Sequence, residues 1–246
     1  MARIELRDAI IRIKDGLSGT GAINEPSTAP VVTDTSFDID TVVLNTTDTD
    51  QVPVGARFTV AGETAATTVH TVTARTPTTG TTTNITFTPA LGAGTYVDGG
   101  VVTFLPQQIS VTIGDGNLTW TVNKEYEYLL DRGNLDTVRE GDQQPMDVTL
   151  DSVYEQITTG TSETITPYDA MNGVGDASEW VSSSSDACEP YAVDIEVSHS
   201  QSCGTAQDET TLLPDFRYDT LEVDIDAATI SFTGRCNAVT PTVTRG

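Results

Sequence analysis

The sequence predicts a mostly β chain with one short helix and a small all-β inserted domain, and three observations predict it. Threonine and valine are abundant, with fifteen threonines between residues 51 and 100, and β-branched residues fit a half-buried pleated surface. Short alternations of apolar and polar residues recur along the chain, separated by Gly, Pro, Asn and Asp turn signals. A single stretch, Thr166 to Gly173, carries helix signals at both ends. At 246 residues the chain is long enough for one large β domain, or for a domain with a smaller insert.

Taken in order, residues 3–14 read as two strand phases joined by a bulge. Ile4 and Leu6 alternate with Glu5 and Arg7, and Ile11 and Ile13 with Arg12 and Lys14, the phase slipping at Asp8-Ala9-Ile10. The Gly/Ser cluster from Asp15 to Gly21 then ends the strand. Residues 31–106 change character and read as the insert. Its predicted strands are Thr41–Leu44, Arg57–Val60, Val69–Ala74, Asn84–Thr88 and Val101–Leu105, spaced as in a small barrel or sandwich. The main domain is then residues 1–30 and 107–246.

From Ile109 the alternation sharpens. Ile109, Val111 and Ile113 lead to Asp115-Gly116, and Leu118, Trp120 and Val122 follow, which predicts a tight hairpin. A strand from Glu125 to Leu130 runs into a polar stretch, Asp131 to Pro145, and Met146 to Val153 leaves it. The stretch has no helical periodicity, and a loop of that length inside a domain is uncommon and usually functional. It holds no His, Cys or Ser, so it is read as a contact surface for another copy of the protein. Thr166 is the predicted N-cap of the helix, with Pro167 at its first position and Gly173 just past its end. Residues 174–189 read as loop, with Trp180 on the core. Tyr191 to Val197, Leu221 to Ile225 and Ile230 to Phe232 are predicted strands, with the turn at Ala227-Ala228. The first two back an apolar face with an acidic one, as in a sheet packed on one side and wet on the other.

Charge narrows the function. The net charge of −24 repels a phosphate backbone and argues against gripping nucleic acid, though not against nucleic acid passing by. No apolar run is long enough to span a bilayer. Charges interrupt the N-terminal apolar residues, so MARIELRDAIIRIKDG does not read as a signal peptide and the chain is expected to fold in a cytoplasm. Cys188, Cys203 and Cys236 are expected as free thiols. An extended strand would hold the first two about 50 Å apart, too far for a bridge.

Chemistry is sparse. His70 reads as a surface histidine, and His199 with Cys188 and Cys203 lacks the regular spacing of a zinc site. Asp48-Thr49-Asp50, Gly114-Asp115-Gly116-Asn117 and Asp224-Ile225-Asp226 resemble calcium loops without the closing bidentate acid. Glu222 and Asp224 alternate along an open strand instead of converging as a catalytic pair. No catalytic, metal or cofactor site is predicted, and no enzyme.

Arg139 to Val148 (REGDQQPMDV), Thr166-Pro167-Tyr168-Asp169-Ala170 and Leu221 to Asn237 (LEVDIDAATISFTGRCN) resemble the tail tube, or major tail, proteins of long-tailed bacteriophages. The likeness covers about residues 1–25 and 107–246. Residues 31–106, with Pro53 to Gly62 and Phe87 to Leu91, look like small β-modules that recur in virion proteins, here placed on the tube exterior. The resemblance implies a tail-tube-type β-sandwich or half-barrel with a flanking helix. It implies homohexameric rings stacked into a tube through which genomic DNA passes. The other partners would be the tape measure, tail terminator and distal tail proteins, with no membrane involved. The protein would be made in the host cytoplasm and reside in the virion tail.

By position, the inter-ring contact loop would include Asp131, Arg132, Asn134, Asp136, Arg139, Glu140, Asp142 and Gln144. Asp194, Glu196, Glu222, Asp224 and Asp226 are the candidate lumen lining. An acidic lumen lets a duplex slide without trapping it. The competing reading is a virion or cell-surface binding protein whose insert takes a receptor or glycan through exposed aromatics. A hydrolase with paired carboxylates is a third.

Overall fold

The structure is a computed structural model, and it describes residues 9–25, 29–44, 52–65, 68–77, 82–111, 113, 117–132, 134–153, 165–184, 186, 188–199 and 208–245. The chain is mostly β and divides into two compact units. The first takes residues 1–13, 109–172 and 192–246, and the second takes residues 14–108 and 173–191. These boundaries differ from the 30/31 and 106/107 divisions read from sequence. The second unit begins earlier because Gly19–Ile23, expected as part of a turn region, is a strand. It also recruits a return of the chain that has no strand pattern of its own.

The first unit is built on an eight-stranded sheet. Its strands are β1 (Ile10–Lys14), β8 (Gln108–Val111), β9 (Leu118–Thr121), β12 (Met146–Val153), β13 (Val193–His199), β14 (Glu209–Asp224), β15 (Thr229–Cys236) and β16 (Thr242–Arg245). The order is β8-β1-β13-β14-β15-β12-β9, with β16 added to β14. Strict alternation buries Val193, Ile195 and Val197 on β13, and Met146, Val148 and Leu150 on β12. Burying each such side chain is worth about 1.5–3 kcal/mol. Helix α1 (Pro167–Asn172) adds Ala170 and Met171 to the buried set. It starts where the sequence places it. Thr166 Oγ1 accepts from Asp169 N at 3.1 Å while Asp169 Oδ2 accepts from Thr166 N at 3.2 Å, a reciprocal cap. Gly173 follows with φ 60°, the left-handed stop.

Two local predictions yield to longer-range pairing. The Asp115-Gly116 signal predicts that β8 and β9 form a hairpin, yet β8 pairs with β1 and β9 with β12, at opposite ends of the sheet order. Leu118 finds Leu150 and Trp120 finds Val148 as cross-strand neighbours, so apolar pairing outweighs the turn signal. Residues 114–116 lie outside the described residues. Ile225, expected on a strand face with Leu221 and Val223, instead opens the turn into β15. Gly234 on β15 is required sterically, since a Cβ there would lie 2.0 Å from the Arg217 carbonyl oxygen.

The second unit is a closed six-stranded barrel, β2-β3-β6-β5-β4-β7. These are β2 (Gly19–Ile23), β3 (Ser36–Leu44), β4 (Arg57–Val60), β5 (His70–Pro77), β6 (Thr83–Thr88) and β7 (Val101–Leu105). Phe37, Phe58, Phe87 and Phe104 fill it, with ring centroids 5.0–6.1 Å apart in tilted or edge-to-face contacts. His70, read as a surface residue, is fully buried among them and stacks on Phe58 at 5.3 Å. It is tolerated there because both ring nitrogens have partners. Nδ1 lies 2.7 Å from the Pro89 carbonyl oxygen and Nε2 lies 3.1 Å from Glu63 Oε2.

A buried carboxylate ties together the segments that make up this unit. Asp15 Oδ1 accepts from Leu17 N at 3.1 Å and Gln107 N at 2.6 Å, and Oδ2 accepts from Val181 N at 3.3 Å. Gly16 N donates to the Val181 carbonyl at 2.9 Å, which holds the returning 173–191 segment to the stretch just ahead of the barrel's first strand. Trp180 is buried on this segment, as read from the sequence. Asp15→Ala would strand three backbone N–H groups at about 1–3 kcal/mol each. The expected loss is about 3–5 kcal/mol in urea denaturation followed by barrel-localised probes, with Asp15→Asn losing less.

Cys236 on β15 is a free, buried thiol, and Cys188 is free and exposed. Burial, then the charges of Asp194 and Asp215, push the Cys236 thiol up to about 12. The unfolded chain loses that proton near 8.5. A raised folded value means the contribution is fully present below about 8.5 and is lost as pH climbs toward 12. Unfolding free energy measured from pH 7 to 11 should therefore fall with pH. In Cys236→Ala the alkaline part of that slope should flatten, whatever the offset from the lost volume.

Candidate assembly surfaces

The polar stretch from Asp131 to Pro145 is not a structureless loop. Lys124–Asp131 (β10) and Asn134–Gln143 (β11) pair as a two-stranded antiparallel sheet, with no third strand among the described residues. Cross-strand neighbours explain the pairing. Tyr128 faces Val138 and Glu127 faces Arg139, an aromatic beside a β-branched residue and a pair of opposite charges. Register shifts at both ends blur the alternation, which is why the segment reads as loop in the sequence.

The structure places the eight candidate contact residues on or beside this hairpin. Asp131 ends β10 and Arg132 sits in the turn with φ 51°. Asn134 and Asp136 lie on β11, their side chains outside the described residues. Glu140 lies across from Tyr126, and Asp142 is exposed near the base. Gln144 follows β11 and its Nε2 donates to Glu125 Oε2 at 3.3 Å.

The sequence reading missed the apolar component. Every residue of β10 is exposed. Tyr126, Tyr128 and Leu130 alternate along it, the latter two 61% and 63% exposed, with Val138 and Leu135 also exposed on β11. Their period of two within a charged stretch was the available signal. Large apolar side chains displayed together on a projecting element mark a contact surface.

Four of the five candidate lumen acids fall on the sheet face turned away from the buried residues, in two different settings, and Asp226 lies in the turn after β14. On β13, Glu196 Oε1 accepts from Arg12 Nη1 at 3.1 Å and Asp194 Oδ1 accepts from Asp215 N at 2.9 Å. Both are half-buried. Glu222 and Asp224 on β14 are exposed, and so is Asp226 in the turn. Asp224 Oδ1 caps that turn by accepting from Asp226 N and Ala227 N at 3.0 Å each.

Register extends this face across four strands. A row of hydroxyls, Thr119, Thr149, Thr233 and Thr220, crosses β9, β12, β15 and β14. On one side of it Arg235 pairs with Asp147 at 3.2 Å and lies opposite Arg217. On the other, Ser231 donates to Asp151 and lies opposite Glu222. The wet face is thus mixed in charge toward one end and purely acidic toward the Glu222–Asp226 end.

Among the described residues, the acids and histidines singled out in the sequence do not converge. Glu222 and Asp224 stand on an open strand. His199 is buried with Nδ1 unpartnered, and Cys203, its suggested companion, lies outside the described residues, as do the acids at 48–50 and 115. Among the described residues no group of three or more His, Cys, Asp or Glu is placed to hold a metal ion. No described helix is long and apolar enough to cross a membrane.

Compared with known proteins, the chain matches no family model, no curated protein sequence and no solved structure.

Proposed function

We propose that the protein is a structural virion component whose copies close into hexameric rings and stack into the tail tube of a long-tailed bacteriophage. The observation that carries this reading is the β10–β11 hairpin, which displays a row of exposed tyrosine and aliphatic side chains and pairs with no third strand among the described residues. A lone two-stranded hairpin is marginal in water, so an element built this way gains its stability from a surface it meets elsewhere. That surface is another copy in the adjacent ring. Inter-ring contact through the hairpin leaves the wet sheet face free to line the lumen. Its acidic end repels the phosphates of passing DNA. The tape measure, tail terminator and distal tail proteins are the remaining partners, and the mature location is the virion tail.

The alternative, a receptor- or glycan-binding barrel, draws no support from the aromatic residues. Phe37, Phe58, Phe87, Phe104 and Tyr96 are all buried in the barrel rather than displayed.

Negative-stain electron microscopy of the purified protein over a concentration series tests the assembly. Rings or hollow tubes of uniform width are expected, and a monomer at every concentration, even when offered purified tail tips as seeds, overturns the reading. The hairpin is tested by Tyr128→Ser with Leu130→Ser. Each is exposed and faces one cross-strand partner, Val138 or Leu135, so the folded chain should lose no more than about 2 kcal/mol, and circular dichroism should show the sheet content kept. The same variant should form few or no tubes, and normal tubes from it would remove the hairpin from the interface.

A further inference from the structure

Outside the β10–β11 hairpin, every described Lys and Arg has a partner. Arg12, Arg75, Arg235 and Arg245 meet carboxylates at 2.8–3.3 Å, Arg57 donates to the Pro106 carbonyl, and Lys14 and Arg217 have contacts of their own. The hairpin's three, Lys124, Arg132 and Arg139, are in no ion pair among the described residues. In a chain with 36 acids and 12 Lys and Arg, cations left over on one element stand out. Arg132 is exposed at the tip, in the turn between β10 and β11. Leu130 and Leu135, cross-strand neighbours beside that turn, are 63% and 69% exposed. The tip is thus one unpaired cation with two displayed leucines.

The turn from β14 into β15 has the opposite character. Ile225 is 88% exposed, the most exposed large apolar side chain among the described residues, and Val223 just before it is 45% exposed. Glu222, Asp224 and Asp226 alternate with them and are exposed too. No cation neutralises these acids from β15, where Ser231 lies opposite Glu222 and Thr229 opposite Asp224. The turn is also preformed. Asp224 Oδ1 accepts from Asp226 N and Ala227 N at 3.0 Å each, which leaves Asp224 Oδ2 and the Asp226 carboxylate pointing to no cation of the described chain. Each patch lacks what the other offers, and both are exposed, so they do not cover each other within one chain.

We propose that the hairpin tip of one copy docks on the β14–β15 turn of a second copy, with Arg132 against Asp226 and Asp224 and with Leu130 and Leu135 against Val223 and Ile225. This rests on the assembly reading above and names the surface that the hairpin meets. A guanidinium suits such a site because its fork of donors can meet two carboxylates at once. The leucines and the isoleucine exclude water around the charges, the usual arrangement of an interface centre. A contact between two different patches, tip on one copy and turn on the next, is heterologous, and such contacts propagate into rings or open filaments. In the docked state Asp224 and Asp226 face the neighbouring hairpin, and Glu222 stays on the wet face.

Sedimentation velocity at a fixed protein concentration measures the outcome. Arg132→Asp should cut the assembled fraction about tenfold, and so should Asp226→Arg, because each sets like charges face to face. Neither should move the thermal midpoint, since Asp is at home at the positive φ of position 132 and the turn uses only the backbone N–H of Asp226. Both substitutions in one chain should recover most of the assembly, the charges being exchanged in place. Ile225→Ser, with every charge kept, should weaken assembly as well. Wild-type assembly by either single charge variant, or no recovery in the double variant, overturns this docking, gives the tip to another partner and leaves the assembly reading standing. If the wild type forms neither rings nor tubes, the assembly reading falls separately, and biolayer interferometry reads the docking. Immobilised wild-type chain should then capture wild-type chain from solution, lose capture of Arg132→Asp, and regain it when the immobilised chain carries Asp226→Arg. No capture, or capture indifferent to these charges, overturns the docking too.

Discussion

Backbone hydrogen bonding at strand edges is the constraint on which this architecture turns. Each strand exposes donors and acceptors on two sides, and an edge without a partner must be closed, covered or used. The barrel closes, and its six strands leave no edge. The eight-stranded sheet does not close. Among the described residues it ends in β8 and β9, and the β10–β11 hairpin has no third strand. Thus, among the described residues, one unit closes its strand bonding on itself and the other does not.

Buried polar groups specify the barrel more than they stabilise it. The Asp15 carboxylate gathers N–H groups from three stretches of chain, and Glu63 holds the Gly92 N–H at 2.7 Å while meeting His70 with its other oxygen. Such arrangements have one satisfactory geometry, since each misplaced partner leaves a desolvated polar atom. The phenylalanine core alone would tolerate several packings. Tyr96 joins the same region through its hydroxyl, which donates to the Gly92 carbonyl at 2.8 Å. Its ionisation is pushed up by burial and then by the Glu63 charge.

Much of the fold was legible because period-two patterning and helix-end chemistry are local. β4 and β7 fall on the predicted residues, and α1 stands between its predicted cap and its glycine stop. What was not legible depended on distant partners. β14 runs sixteen residues, but only its last part alternates cleanly, because changes of neighbour and bulges shift the phase near Asp215 and Asp219. His70 gave no sign of burial because the carboxylate that accepts it is seven residues away, across a turn. Of the candidate surface, the charged hairpin residues were visible and the tyrosines beside them were passed over, since alternation alone does not say whether a face will be covered. The acids of β13 and β14 look alike in the sequence, and partial burial with the Glu196–Arg12 and Asp194–Asp215 N contacts separates them.

The return of residues 173–191 to the barrel has a consequence for biosynthesis. Asp15 waits for Val181, a separation of 166 residues, and Arg12 waits for Glu196, a separation of 184. Neither unit can finish while its early strands are the only ones to have left the ribosome. Contacts of such separation make folding slow and leave early strands exposed meanwhile. The nascent chain therefore passes through a stage with more open strand edges than the folded one. Its surplus of carboxylates, spread over both units, keeps neighbouring nascent chains apart during that interval.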